Sequence, residues 1–173
     1  EIDSSLGEVL GNASGQRVLA DPKTRICRVM VTSDNARDVK VTKEARKKSL
    51  EASVEIPTTH PKVIALAAKA VGDAETRREK VNRLVRFVDK FVIDSYNAEP
   101  LTVLDTIKRR RGDCTEHSVL FATLSRSLGI PTRIVDGLIY GELGSPSFAG
   151  HAWNEVELDG YGVPVDSTWN ETN

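Results

Sequence analysis

Asp159-Gly160 interrupts an alternating run, GHAWNEVELDGYGVPVDSTW, and this pair constrains the fold more tightly than any other feature of the chain. Asp-Gly is a favoured two-residue type I′ loop, because both central residues of that turn take positive φ. Such a loop pairs Leu158 with Tyr161, and counting outward places Asp166 opposite Trp153. His151 lies two residues from Trp153 on the same strand face, hence diagonal to Asp166. Diagonal neighbours are roughly 7–8 Å apart at the backbone, which a histidine and a carboxylate can close with a hydrogen bond. A one-residue slip would send them to opposite faces.

A second constraint stands upstream, in RRRGDCTEHSVLFATLSRSLGIP. Asp113 is a good helix N-cap, Glu116 completes a capping box, and Gly129 with Pro131 marks the end. Cys114 is then in the first turn, where unpaired N–H groups and the positive end of the helix dipole favour a thiolate. The same N–H groups suit an oxyanion. Cys114 is thus a candidate nucleophile, His151 a candidate base and Asp166 the group that orients it.

These residues resemble the transglutaminase-like superfamily, in particular its bacterial members described as cysteine proteases. The matching stretches are RRGDCTEHSVLFATLSRSLGIPTRIVDGLIY, GHAWNEVELDG and VPVDSTW, with support from the helices upstream, so the resemblance runs from about Val54 to Trp169. It implies a Cys114 nucleophile, a His151 general base and acid, and an Asp166 orienting group. Two positions depart from the family pattern. Gly162 stands where a bulky aromatic is expected and DST where DPT is common, and both bear on the hairpin's firmness.

Along the chain, residues up to about Ala20 are rich in Gly, Ser and Asn and read as a poorly ordered lead-in. RICRVMVTS reads as a strand with Cys27 on a buried face. Asp34 to Ser53, rich in Lys and Arg, reads as a solvated loop or strand pair. After Pro57 and Pro61, Lys62 to Ala70 suits a short helix, with His60 before it as a surface loop residue. Asp73 is positioned to cap the next helix, whose Val81, Leu84, Val85, Val88, Phe91 and Val92 recur at helical spacing and form a core stripe.

Another short helix should run from Pro100 through Ile107 to the Lys108 to Arg111 cluster, with Gly112 ending it. Cations at a helix C-terminus are favoured by its dipole, so this cluster needs no nuclear or phosphate-binding role. The Arg-Gly-Asp of residues 111–113 is better explained by Asp113 capping the cysteine helix than by adhesion. TRIVDGLIY then reads as a strand. Helices first and an antiparallel sheet afterwards give an α+β fold. The family resemblance makes it papain-like, with a lead-in and strand region over 1–53 and a catalytic core over 54–173.

Supporting residues are less constrained. Trp153 suits a shield over the His-Asp bond, a groove wall or a packed core aromatic. A second oxyanion donor should lie upstream of the cysteine, with Tyr96 and Asn97 as candidates. His117, on the cysteine's own helix, points along the axis and suits packing or hydrogen bonding. Gly141 to Gly150 suits a loop gating the cleft.

Composition narrows the partners. A formal net charge of −1 over 173 residues gives no overall field for nucleic acid. No apolar run approaches the ~20 residues that span a bilayer. Paired Cys-x-x-Cys knuckles and acidic calcium loops are lacking, so neither metal nor other cofactor is expected. The expected partner is a peptide or protein substrate, cleaved through a thioester. Amine-accepting acyl transfer and a non-catalytic binding module are the alternatives. The chain reads as part of a longer protein, and the family resemblance implies a bacterial setting, with an extracytoplasmic location favoured over a cytoplasmic one.

Overall fold

The computed structural model describes residues 16–21, 26–31, 40–95, 99, 101–142 and 146–172. Contacts divide the chain into two units, Glu1–Lys40 and Val41–Asn173. In the first, β1 (Gln16–Asp21) and β2 (Ile26–Val31) form an antiparallel ladder with Gln16 opposite Val31 and Asp21 opposite Ile26. The strand expected at RICRVMV is present. The lead-in is corrected: its last residues, from Gln16, form β1, because a strand's N–H and C=O groups need a partner strand to bond. The Cys27 side chain, expected to be buried, lies outside the described residues.

The second unit runs through α1 (Lys43–Lys48), α2 (Pro61–Val71), α3 (Arg77–Phe91), β3 (Ile93–Asp94), α4 (Val103–Arg109), β4 (Arg111–Gly112) and α5 (Cys114–Ser127). Four strands follow, β5 (Thr132–Glu142), β6 (Pro146–Leu158), β7 (Tyr161–Asp166) and β8 (Glu171–Thr172), in one antiparallel sheet of that order. Helices followed by an antiparallel sheet give the expected α+β architecture.

Several helix ends differ from the sequence expectation. Within 34–53, residues 43–48 form α1, capped by Thr42, whose hydroxyl accepts the Ala45 N–H; residues 34–39 lie outside the description. Thr76, not Asp73, caps α3: its hydroxyl accepts the Glu79 N–H while Glu79 reaches back to the Thr76 N–H. The capping box satisfies two orphan donors at once, and Asp73 instead pairs with Arg83. α4 starts after Thr102 and ends at Arg110 in the left-handed region (φ 55°), where the guanidinium over the Phe91 ring and its bond to Phe91 O hold the turn. Gly112 is consequently free to serve in β4. His60 is more than a loop residue, since its Nδ1 accepts the Lys62 N–H and caps α2.

The core forms where α2, α3 and α5 meet the sheet. It gathers Val63 and Ala67 from α2, Val81, Leu84, Val85 and Val88 from α3, Leu120, Phe121 and Leu124 from α5, and Val156 and Val163 from β6 and β7. The stripe expected on α3 is buried apart from Phe91, which is part-buried and stacks on Phe87. α5 is covered on all sides over most of its length, with buried residues from Glu116 to Ser125. Such a helix must satisfy its polar side chains internally; Ser118 and Thr123 do so by donating to the carbonyls of Thr115 and Val119. Glu157, nearly buried on β6, pairs with Arg46 of α1 and Arg77 of α3 and ties both helices to the sheet.

Candidate active site

The β6–β7 turn has the geometry its sequence requires. Asp159 and Gly160 both take positive φ, 56° and 87°, and Leu158 faces Tyr161 in a register that continues unbroken to Asn154 opposite Val165. Gly162 stays in that register opposite Glu157. His151 and Asp166 therefore meet: Nε2 of His151 lies 2.5 Å from Oδ2 of Asp166. Both residues are buried, at 7% and 8% exposure. An ionised carboxylate only accepts, so the imidazole proton sits on Nε2 and Nδ1 keeps a lone pair. The other carboxylate oxygen, Oδ1, accepts the Thr168 N–H at 2.8 Å. With both oxygens engaged, the acid has one orientation and the ring inherits it.

Two indoles flank that ring. Trp169 stacks on His151 with centroids 4.2 Å apart and planes 13° apart; Trp153 lies at 6.2 Å and 19°. Trp153 is part-buried, and its ring edge occupies the space over Gly137, where a Cβ would come within 2.5 Å of it. Gly137 is the direct cross-strand partner of His151. Neither Gly137 nor Trp169 stands out in the sequence. A glycine mid-strand hints at close approach by another group, but Trp169 reaches the histidine only through the turn over residues 167–170 that follows β7.

Cys114 occupies the first position of α5, a free thiol at intermediate exposure. Its surroundings are fixed from both sides. β3 and β4 form a short parallel bridge, reinforced by Ser95 N–H to Gly112 O at 2.8 Å, that holds the approach to the cysteine. Asp113 Oδ1 accepts the Thr115 N–H at 2.8 Å, and Glu116 accepts the N–H groups of Asp113 and Leu101. Gly112 has no room for a side chain, since the Glu116 side chain fills the space a Cβ would need. His117 is fully buried, and its Nδ1 donates to Asp113 O at 2.7 Å. It braces the cap, as packing along the helix axis suggested.

The helix bearing Cys114 packs on the strand bearing His151. Asn154, fully buried on β6, donates from Nδ2 to Ser118 O, one turn along α5 from Cys114. Hydrogen bonding among the described residues joins His151 to Asp166 and leaves Cys114 outside that pair. Tyr96 and Asn97 lie outside the described residues. So do 143–145, but the rest of the expected gating loop is strand, with β5 reaching Glu142 and β6 starting at Pro146. Cross-strand pairing from Glu142–Pro146 down to Gly137–His151 carries the backbone there. Among the described residues no group of three or more His, Cys, Asp or Glu converges as a metal site. No described helix is long and apolar enough to cross a membrane.

Comparison with known proteins gives the family and the fold. The sequence profile of the transglutaminase-like superfamily matches residues 64–169, which contain Cys114, His151 and Asp166. No curated protein sequence matches. Among solved structures, an inferred cysteine protease from Cytophaga hutchinsonii superposes with a TM-score of 0.63 at 19% identity, over 90% of this chain and 62% of that one. The periplasmic domain of TgpA from Pseudomonas aeruginosa gives 0.67 at 24% identity, over 83% of this chain and 54% of that one. This chain thus spans somewhat over half the length of either, and at these identities the likeness is one of fold. With the profile covering well over half of its residues, the chain belongs to the transglutaminase-like superfamily.

Proposed function

We propose that residues 54–173 are the catalytic core of a thiol enzyme that cleaves amide bonds of peptides or proteins, with Cys114 as nucleophile, His151 as base and acid, and Asp166 as the orienting group. The observation that carries this reading is the bond from His151 Nε2 to Asp166. It fixes the tautomer that leaves Nδ1 unprotonated and able to take a thiol proton.

The chemistry then proceeds in two halves. Nδ1 accepts the Cys114 proton, the thiolate attacks the amide carbonyl, and a C–S bond forms as the carbonyl oxygen takes negative charge. The capping box occupies the N–H groups of Thr115 and Glu116, and the His117 N–H opens the helical ladder on Asp113 O, so the Cys114 N–H is the first-turn donor left for that oxyanion. The imidazolium returns its proton to the leaving nitrogen, the C–N bond breaks, and a thioester remains. Water, losing a proton to Nδ1, resolves the thioester to an acid and restores the thiol. A primary amine in place of water would give acyl transfer.

The relative from C. hutchinsonii favours the hydrolytic outcome, and the periplasmic relative favours an extracytoplasmic setting for this chain. The test is a glutamine-containing peptide supplied with a primary amine and followed by mass spectrometry. Hydrolysis gives two fragments whose masses together exceed the peptide by one water, and Cys114→Ser abolishes them. Incorporated amine would instead establish acyl transfer. Turnover in neither form would mark a binding module.

A further inference from the structure

In the proposed reaction His151 must carry a positive charge, yet it is only 7% exposed. Water solvates such a cation poorly, and burial by itself favours the neutral ring. The protein has to supply the missing stabilisation. Asp166 does so in the plane of the ring, at Nε2, and among the described residues it has no other cationic partner. The faces of the ring are a separate direction.

Trp169 covers one of them. Its centroid lies 4.2 Å from that of the imidazole with the planes 13° apart, well inside the ~6 Å over which an indole face attracts a cation. Trp153, at 6.2 Å, stands at the limit of that range. Packing does not account for Trp169, which is 48% exposed and lies outside the core cluster. Its seat depends on Asp166, whose Oδ1 accepts the N–H of the neighbouring Thr168. One carboxylate therefore holds the ring's edge with one oxygen and, with the other, the turn that lays an indole on the ring's face.

Resting on the proposed thiol chemistry, we infer that Trp169 is a positioning residue for the base, its indole face stabilising the imidazolium that forms when Nδ1 takes the Cys114 proton. The proton passes from Sγ to Nδ1, and the indole contributes only its π face. The titratable groups on the elements around the ring are Asp166 on β7, Glu171 opposite it on β8, Asp136 on β5, and Cys114, Glu116 and His117 at the start of α5. Farther along β6, Glu155 is paired with Arg133, and Glu157 with Arg46 and Arg77. A substitution at Trp169 removes none of these, so a change in how His151 titrates reads the indole.

The test follows the His151 ring protons by NMR as pH is varied, with the signal identified by its loss in His151→Ala. A Cys114→Ala background removes the coupled thiol. Trp169→Leu keeps an apolar cover without a π face, whereas Trp169→Phe keeps a weaker π face. The Leu variant should lower the titration midpoint by about 0.5–1.5 pH units, the range of a cation–π contact. The Phe variant should recover at least half of that shift, and thermal melts should show both folded. Simple shielding predicts the opposite sign, because admitting water to a buried ring favours its charged form. A midpoint that stays or rises in Trp169→Leu, or that falls equally in the Leu and Phe variants, would overturn the inference. If His151→Ala leaves alkylation of Cys114 unchanged, the thiol reading fails whatever the titration shows, so the two failures are separable.

Discussion

The nucleophile's end of α5 and the β6–β7 hairpin reach their geometry by opposite routes. At α5, position is set by residues within four places of Cys114: the Asp113 and Glu116 capping box, the His117 brace and the packed Gly112. On the hairpin, His151 and Asp166 are fifteen residues apart and meet only because the Asp159-Gly160 turn fixes the register of the ladder between them. Local capping fails by degrees, whereas register fails altogether, since a slip of one residue moves a side chain to the other face. The hairpin is therefore the more fragile half, and disturbing it should cost activity out of proportion to stability.

The largest expected effect comes from the acid. Asp166→Asn keeps the size of the side chain but reverses the demand on Nε2, because an amide nitrogen donates where the carboxylate accepted. Turnover should fall by about 10²–10⁴-fold with little loss of folding, less than the loss on removing Cys114 or His151. A steady-state rate with a parallel thermal melt checks this. A drop in melting temperature matching the drop in rate would reduce Asp166 to a structural role.

Next is Gly137→Val. Its side chain would occupy the space of the Trp153 ring, which must move while the adjoining imidazole loses one of its two flanking indoles. Turnover should drop at least about tenfold, and the intrinsic tryptophan fluorescence should shift. Unchanged fluorescence and rate would mean that Trp153 has room to spare and that the hairpin is less tightly built than its contacts indicate.

The smallest effect is expected at the helix. Asp113→Ala removes the side chain that accepts the Thr115 and Glu116 N–H groups, at a cost of about 0.5–2 kcal/mol. Denaturant unfolding measures that loss. It should also release two further donors near the nucleophile, so the rate should change less than for Gly137→Val. A larger kinetic loss than at Gly137 would invert the contrast between local and register-set geometry.

The same contrast explains what was legible in the sequence. Asp113, Glu116 and Gly129 announce α5 because capping is chemistry within one turn, and Asp-Gly announces the hairpin because few pairs accept two positive φ values. Counting from that turn then placed Asp166 within reach of His151. By contrast, Thr76 and Asp73 are both good cap residues, and only the reach of Glu79 back to Thr76 decides between them. Trp169 is not legible in the sequence because its stacking on His151 depends on a turn beyond the last counted pair. Gly141 to Gly150 reads as a loop by composition, yet cross-strand pairing recruits its described residues into β5 and β6. Propensity yields there to the ladder.

The most direct test of the account is the rate at which iodoacetamide alkylates Cys114, resolved from Cys27 by peptide mass spectrometry, in the parent and in His151→Ala. An assembled thiol–imidazole site predicts that Cys114 reacts faster than a thiol in a denatured control and slows markedly when His151 is removed. Equal rates in the two proteins would contradict the claim that Cys114 and the His151–Asp166 pair act as one site.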